Sequence, residues 1–555
     1  MQDLPNLEQL HDNSKLPTIE VRYSNNQVIK TYGAINGDNC EFYEIPQHLI
    51  NAVISIEDKN FFSHIGIDFL AILRAFYVNQ KKGYIAQGAS TITQQLAKLL
   101  FLDSDKTIKR KIQELLLSFQ LEREFTKEQI LKMYLNRIYF GSGNYGIKNA
   151  AQSYFNKDIS QINLNEATIL AAIIKAPSKL SPKINPSLAQ ERAFLVMKNM
   201  IKNGYIDESN IAEIDDDANY QYDSFQRFYI ADLVHRNFRD FLALDPKDNQ
   251  SFYINTTIDK DIQDNLQKIT YNFLKRNKNK IGKAQIAVLV MDKNGALKAL
   301  IGGKDYQESQ FNRAIDAKRQ VGSLLKTFVY LAAFEQGFKT DDIIIDQKID
   351  LNGWLPNNYG DKYYGSVDLK TAFAKSLNSV AIQLAKQSSL DNIIDMLNRF
   401  GLFVNKDDGL SIALGSSAFS LYDITAAYAI IANQGQALIP SYIKNIVDQD
   451  NNNLYSHFGS DLGNVIDYQS WLMIDDLLNE VVISGTASNS GIDHNARGKT
   501  GTSQEFRDAW FVGYGGEHVI GVWIGNDDYS LTNKISGGNL PASLFADIIS
   551  FLLNK

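Results

Sequence analysis

Apolar residues along this chain change their spacing twice, and the changes divide it. In two short runs, 19–23 and 27–32, they flank the turn-forming patch Ser24-Asn25-Asn26, which predicts a β-hairpin. From 45 to about 204 they recur three and four apart, as at Ile112, Leu115, Leu116 and Phe119, predicting an almost wholly helical region. Asn163 followed by Glu166 predicts a capped start for a helix over 164–176, which Pro177 ends. An acidic, weakly apolar stretch around 213–224, containing Asp215-Asp216-Asp217, reads as a linker, and one bridging helix over 225–241 follows it. Strand patterns then appear at 284–291 and 296–301, joined across Asp292-Lys293-Asn294-Gly295, a strong hairpin signal. Two more, at 509–514 and 519–524, flank Gly515-Gly516-Glu517-His518, with long helical segments in between. Strands at both ends of the region predict one antiparallel sheet assembled from distant segments. The resulting division is 1–44 as an N-terminal hairpin segment, 45–212 all-α, 213–252 linker and 253–555 α/β. No internal repeat or low-complexity tract interrupts it.

Composition changes this picture little. A chain of 555 residues with 44% hydrophobic and 21% charged residues is ordinary globular material for several domains. The net charge of −7 argues against a surface built for nucleic acid, so an anionic ligand must be met by a local basic cluster. Cys40 is the only cysteine, which excludes an intrachain disulfide and a cysteine-built zinc site. No apolar run reaches the roughly 18 residues of a membrane-spanning helix, and the polar, acidic opening is not a signal peptide.

Chemistry gathers in two places. In the second half stand, in order, Ser323-Leu324-Leu325-Lys326, Ser376-Leu377-Asn378 and Lys499-Thr500-Gly501-Thr502. Ser and Lys three apart on a helix share a face. An alcohol needs an adjacent base to attack a carbonyl, and a lysine serves when burial or another cation lowers its pKa. Gly322 suits a tight entry into a helix whose first N–H groups favour developing negative charge. Each element alone is common, and each is more often a surface pair or a turn. The ordered trio is the known signature of serine β-lactamases and penicillin-binding proteins, a resemblance rather than a deduction from spacing. The flanks Phe311-Asn312-Arg313-Ala314, Arg507-Asp508-Ala509-Trp510-Phe511-Val512-Gly513 and Trp523-Ile524-Gly525-Asn526-Asp527 narrow it to the transpeptidase domain of class A penicillin-binding proteins.

In the first half, Glu57-Asp58-Lys59-Asn60-Phe61-Phe62-Ser63-His64 precedes Gln87-Gly88-Ala89-Ser90-Thr91-Ile92-Thr93-Gln94-Gln95-Leu96-Ala97-Lys98. Lys109-Arg110-Lys111-Ile112-Gln113-Glu114 and Ile130-Leu131-Lys132-Met133-Tyr134-Leu135-Asn136 follow. This order resembles the lysozyme-like peptidoglycan glycosyltransferase domain of the same family. Singly, Glu57-Asp58 reads as a solvated helix start, His64 as a structural hydrogen-bonding residue, Phe61 and Phe62 in part as core, and the basic run as a wet helix face. Together they do not.

The resemblance implies a bifunctional peptidoglycan synthase: lipid II polymerised into β-1,4-linked glycan, and stem peptides ending in D-Ala-D-Ala cross-linked through an acyl-serine that β-lactams also form. Glu57 would be the general base and Glu114 the second carboxylate, assisting pyrophosphate departure. Lys98, Arg110 and Lys111 would meet the phosphates, and Asp58, Phe61, His64, Ser90, Thr91 and Gln95 would line the substrate. No cofactor is obligatory, with a divalent metal, magnesium or manganese, as an option beside Glu114. In the other half Ser323 would be the nucleophile, Lys326 its base and Ser376 the proton relay. Asn378 would hold the substrate amide, Lys499, Thr500, Gly501 and Thr502 the terminal carboxylate, and the N–H groups of Ser323 and Thr502 the oxyanion. Four positions depart from the family pattern: Val321 and Thr327 where proline is usual or frequent, Leu99 for asparagine and Lys132 for glutamate. A lipid-linked substrate implies a single-pass anchor in the cytoplasmic membrane, catalytic domains outside it, and cell-wall regulatory proteins as partners. The chain as given would then be a form lacking its anchor. Rival readings are a serine β-lactamase or carboxypeptidase with an inert helical domain, a non-enzymatic scaffold, and a glycan-cleaving enzyme. Slow turnover of bound penicillin, the retained Glu57, Glu114, Ser323, Lys326 and Lys499, and the phosphate-binding cluster respectively separate them.

Overall fold

Asn163 accepts the N–H of Glu166 at 2.9 Å, and the Glu166 carboxylate accepts the N–H of Asn163 at 2.9 Å. This reciprocal box starts the helix Leu164–Ile173. The helix stops three residues short of the expected 176, because Ala176 turns tightly onto the Ile173 carbonyl before Pro177. A second box, Thr126 with Gln129, starts Lys127–Arg137. The computed structural model describes residues 18–33, 40–69, 71, 90–101, 108–141, 144–155, 157–177, 179–182, 186–207, 226–242, 251–306, 308–351, 353–459 and 462–554. They form two compact units, one chiefly Thr31–Asp223 and the other Phe252–Lys555 with Glu20–Lys30 and Ser224–Asp248.

The first unit is helical, as its period predicts. Gln47–Glu57, Ile92–Phe101, Ile108–Glu124, Lys127–Arg137, Ile147–Phe155, Leu164–Ile173 and Pro186–Lys202 surround one core. Leu49, Val53, Leu96, Leu121, Leu131, Leu135, Leu170 and Val196 are fully buried in it. The linker stretch 213–224 and residues 87–89 of the motif lie outside the described residues.

The hairpin forms as β1 (Thr18–Arg22) and β2 (Val28–Gly33), turning through Asn26 at φ +68°. It is not the separate segment assigned to 1–44. Two strands alone are marginal, and these extend a sheet with β3 (Phe252–Thr256), where Thr256 Oγ1 donates to the Arg22 carbonyl. The expected bridging helix is Arg227–Leu242, and its Phe238 packs on Phe252 of β3.

The predicted strand pairs appear as β4 (Gln285–Asp292) with β5 (Leu297–Ile301), and, much later, Asp508–Gly515 with His518–Gly525. Asp292 Oδ1 accepts the N–H groups of Asn294 and Ala296, and Gly295 takes φ +84° to close the first turn. Short pairs β6 (Arg319–Gln320) with β9 (Ala418–Phe419), and β7 (Ile343–Asp346) with β8 (Gly365–Asp368), follow. Then come β10 (Ile443–Asp448) and β11 (Asn453–Ser456), which complete the first sheet in the order β11-β10-β3-β1-β2. The sequence reading expected one sheet and missed this one. The principal sheet is antiparallel, β12 (Arg497–Thr502), β13 (Asp508–Gly515), β14 (His518–Gly525), β4, β5 in that order. Every residue of β13 is buried, so helices must cover both its faces. Phe511 meets Phe545 of Leu540–Leu553, while Gly521 leaves room for Thr425 of Leu421–Ala432.

Candidate active sites

Ser323 lies in a 3-10 turn, Gly322–Leu325, that runs straight into the helix Lys326–Glu335. The expected one-turn spacing on an α-helix is thereby tightened, since residues three apart eclipse in a 3-10 turn. Gly322 adopts φ +56°, and a Cβ there would stand 2.6 Å from the Thr502 carbonyl oxygen. A Cβ on Gly501 would meet the Val321 carbonyl at 2.4 Å. These two glycines let β12 run against the serine turn, which brings the Ser323 and Thr502 backbones together as an oxyanion site requires. Ser323 is half-buried, and its hydroxyl has no hydrogen-bond partner among the described residues.

Lys326 is completely buried. Its Nζ donates to the Ser376 carbonyl at 2.6 Å and to Asn378 Oδ1 at 2.6 Å, with Ser376 Oγ at 3.3 Å. A neutral amine has two hydrogens and one lone pair. The two short bonds use both hydrogens of the neutral amine, so the longer contact falls to its lone pair, which faces the Ser376 hydroxyl in the free protein. Burial, reinforced by the positive charge of Lys499, holds Lys326 well below the usual ammonium range. Lys499 is also fully buried, its Nζ 2.9 Å from Ser376 Oγ and 5.4 Å from the centre of the Phe373 ring, and burial lowers it to about 7. Lys499 is expected to bind the terminal carboxylate; in the free protein its Nζ rests on Ser376 Oγ, with the Thr500 carbonyl at 3.4 Å. Thr500 Oγ1 pairs with Thr486 Oγ1 at 2.8 Å. Thr502 Oγ1 accepts the Gly537 N–H at 3.0 Å, so its own hydrogen remains available to a ligand. Ser376 is held at φ +57°, a conformation costly for a serine and found where the surroundings over-determine it. It joins the two lysines as a hydroxyl bridge. Asn378, expected to hold a substrate amide, donates to the Asn357 carbonyl at 2.7 Å and turns its oxygen to Lys326.

In the helical unit, Glu57 ends the helix Gln47–Glu57 and is half-buried. Its carboxylate accepts from Gln95 Nε2 at 3.0 Å, and Gln95 Oε1 accepts from Tyr134 OH at 2.9 Å. Desolvation raises the Glu57 carboxyl above the ordinary range; Gln95 and the charges of Arg192 and Lys175 oppose that rise. Sequence reasoning named Gln95 but missed Tyr134, Lys175 and Arg192, whose buried Nε has no hydrogen-bond partner among the described residues. Asp58, His64 and Phe61, expected to line the substrate, are held in the free protein by contacts within the fold. Asp58 Oδ2 accepts His64 Nε2 and the Ile92 N–H, both at 2.9 Å. The Gly66 N–H donates to His64 Nδ1, which fixes the neutral ring with its hydrogen on Nε2. Phe61 is fully buried, with Lys127 Nζ 4.6 Å from its ring centre. Thr91 and Gln94 cap the helix Ile92–Phe101 reciprocally, and Thr91 Oγ1 donates to the Gly66 carbonyl.

Glu114 is buried, with Arg110 Nη1 at 3.1 Å from one oxygen and Lys111 Nζ bonded to the other. Lys111 also reaches Ser90 Oγ at 3.3 Å. The stretch 90–95 thus touches both clusters, Glu114 through Ser90 and Lys111, and Glu57 through Gln95. Lys98 is exposed on the same helix and has no partner among the described residues. A divalent ion fits poorly here, because both Glu114 oxygens already hold cations and no three His, Cys, Asp or Glu gather among the described residues.

A family model described as Transglycosylase matches residues 25–201, and one described as Penicillin binding protein transpeptidase domain matches 285–550. The chain is 34% identical to "Penicillin-binding protein 1A" of Aquifex aeolicus, over 93% of this chain and 84% of that one. It is 32% identical to "Penicillin-binding protein 1F" of Bacillus subtilis, over 98% and 77%. The crystal structure of penicillin-binding protein 1A from Haemophilus influenzae superposes with a TM-score of 0.58, covering 98% of this chain and 93% of that one at 20% identity, a likeness of fold. With both sets of side chains in their units, these matches make the chain a member of the class A penicillin-binding proteins, the bifunctional peptidoglycan synthases that polymerise glycan, cross-link stem peptides and bind β-lactams.

Proposed function

We propose that Ser323 is the acylated serine and that Lys326, Ser376 and Lys499 manage its proton. The observation that carries this is the buried pair of lysines bridged by the Ser376 hydroxyl beside an unbonded Ser323. Ser323 Oγ bonds to the carbonyl carbon before the terminal D-Ala, and its proton passes to Lys326 Nζ. The C–N bond then breaks, and the departing nitrogen takes a proton through Ser376. An amine of a second stem peptide reverses the sequence and releases the serine. In a β-lactam the same C–N bond belongs to the ring, so the leaving nitrogen stays tethered and the acyl-enzyme persists.

In the helical unit Glu57 takes the proton of the acceptor 4-hydroxyl as its oxygen bonds to the donor C1 and the C1–O bond to the lipid pyrophosphate breaks. Its raised pKa suits a base working near neutrality. Arg110, Lys111 and Lys98 meet the charge of the departing pyrophosphate, with Glu114 orienting the first two. Among the described residues no helix is long and apolar enough to cross a membrane. Work on a bilayer-borne substrate supports catalytic units at the outer face of the cytoplasmic membrane, where cell-wall regulatory proteins could reach them.

The test is lipid II with each single variant. Ser323→Ala abolishes covalent labelling by a fluorescent penicillin and leaves polymerisation within a few-fold. Glu57→Gln does the reverse, lowering polymerisation about 10²–10⁴-fold. Labelling that survives Ser323→Ala, or near-normal polymerisation by Glu57→Gln, overturns the respective assignment, with Asp58 the next candidate base.

A further inference from the structure

Asp346, at the end of β7, is 1% exposed, yet the chemistry above does not use it. Its carboxylate accepts Asn358 Nδ2 at 2.7 Å, the Tyr364 N–H at 2.9 Å and the Ser379 hydroxyl. Asn358 is itself buried and donates also to the Lys362 carbonyl at 3.0 Å. Its Oδ1 accepts two N–H groups, those of Asn378 at 2.7 Å and Ser379 at 3.1 Å. These are the first two of the helix Asn378–Gln387, whose own cap position is Leu377, with no side-chain acceptor to offer. The loop between β7 and β8 therefore supplies the cap that the local sequence lacks. The neighbouring Asn357 carbonyl takes the Asn378 amide N–H, which decides that Asn378 presents its oxygen to Lys326.

We infer that Asn358, oriented by Asp346, is a positioning residue for acyl transfer: by capping the helix at Asn378 it sets the acceptor that aims Lys326 at Ser323. The inference rests on Ser323 as the acylated serine. A cap that served stability alone would move the melting temperature and nothing else. A cap that places the Asn378 oxygen also determines how Lys326 holds its hydrogens, and so enters the pH profile. Lys499, from β12, is the charged group facing Lys326; Ser376 and Asn378 are its neutral partners.

Asn358→Ala should slow acylation by a fluorescent penicillin at least tenfold at pH 8. It should also move the acid limb of the second-order rate to lower pH, because Lys326 loses an acceptor that favours its charged form. Polymerisation of lipid II by the other unit stays within twofold. The paired exchange Asp346→Asn with Asn358→Asp keeps an oxygen facing the two helix N–H groups and a donor facing that side chain while losing the bond to the Lys362 carbonyl, so it should recover part of the rate and bring the limb back toward its original place. An unmoved limb in Asn358→Ala overturns the inference, and so does an exchange variant no better than Asn358→Ala. Should Asn358→Ala not fold, the exchange variant still decides by comparison with the unaltered protein, since an acylation rate down tenfold there is equally contrary. Ser323→Ala runs alongside: labelling that survives it removes the serine assignment, whereas a failure of this inference appears in a chain whose labelling still depends on Ser323.

Discussion

Lys499→Met should shift the acid limb of penicillin acylation upward by one to two pH units. As the proposed base, Lys326 has to be neutral to accept the serine proton, and the Lys499 charge helps to keep it so. The two Nζ atoms lie 3.3 Å and 2.9 Å from the same oxygen, Ser376 Oγ, and so stand no more than about 6.2 Å apart. At an effective dielectric of about 20, unit charges at that separation repel by about 2.7 kcal/mol, equivalent to about two pKa units. Lys499 titrates at about 7, so its charge is present below neutrality. There it takes the first proton and resists a second on Lys326, which stays neutral to lower pH. Methionine keeps the length of the side chain and its contact with the Phe373 ring but removes the charge, so Lys326 protonates earlier as pH falls. The maximal rate drops as well, because a partner of Ser376 is gone. The limb of the second-order constant nevertheless reports ionisation of the free enzyme. The assay is the second-order rate of fluorescent-penicillin acylation from pH 5 to pH 9, with both proteins matched for melting temperature. A limb that stays in place or moves downward would refute Lys326 as the base.

Two further outcomes follow from the same geometry. Tyr134→Phe frees the Gln95 amide that donates to Glu57; losing that bond, which favours the carboxylate, raises the Glu57 pKa further. Initial polymerisation rates should fall about fivefold, the worth of roughly one hydrogen bond, and more at pH 6 than at pH 8; equal loss at both would discount the link to Glu57. Thr327→Val removes the 2.7 Å hydrogen bond to Tyr428, whose hydroxyl also donates to the Leu324 carbonyl under the serine turn. That should cost about 1 kcal/mol, seen as a lower melting temperature of the transpeptidase unit, with acylation within about threefold; an unchanged melt would show the pair to be idle.

Local rules were legible in the sequence; distant pairings were not. Asn163 with Glu166, and the turn Asp292-Lys293-Asn294-Gly295, form as read because each is completed within a few residues. The five-stranded sheet that takes in β1 and β2 was missed because its partners, β3 and β10, lie more than 200 residues downstream and no local pattern names them. Reactive groups were legible as an ordered set, since Lys326, Ser376 and Lys499 converge behind the turn that carries Ser323, as do Glu114, Arg110 and Lys111. Their supports were not. Asn358 follows Pro356-Asn357 and reads as an ordinary turn residue, and Tyr134 reads as one more apolar position of its helix. For Phe61, Asp58 and His64 the motif marks residues the site depends on, without separating those that touch substrate from those that hold the touching ones, and the structure shows them engaged with the fold.

The four departures from the family pattern illustrate the same distinction. Val321 is fully buried at φ −88° with ψ −9°, beyond the φ of about −65° that a proline would impose, and packing holds a turn the ring would have fixed differently. Thr327 replaces rigidity with its bond to Tyr428, which ties the start of the helix to the turn carrying the nucleophile. Lys132 pairs at 2.6 Å with Glu41, so the charge reversal at 132 is answered beside it rather than at Glu57. Leu99 is 46% exposed next to Lys98, which has no partner among the described residues, and is the one departure beside the cation proposed to meet the lipid-linked pyrophosphate. Three of the four therefore act on the frame, where an alternative contact can compensate. The fourth alters a contact surface, where the compensating group has to come from the substrate, and it is there that this chain should differ from its relatives in donor affinity rather than in rate.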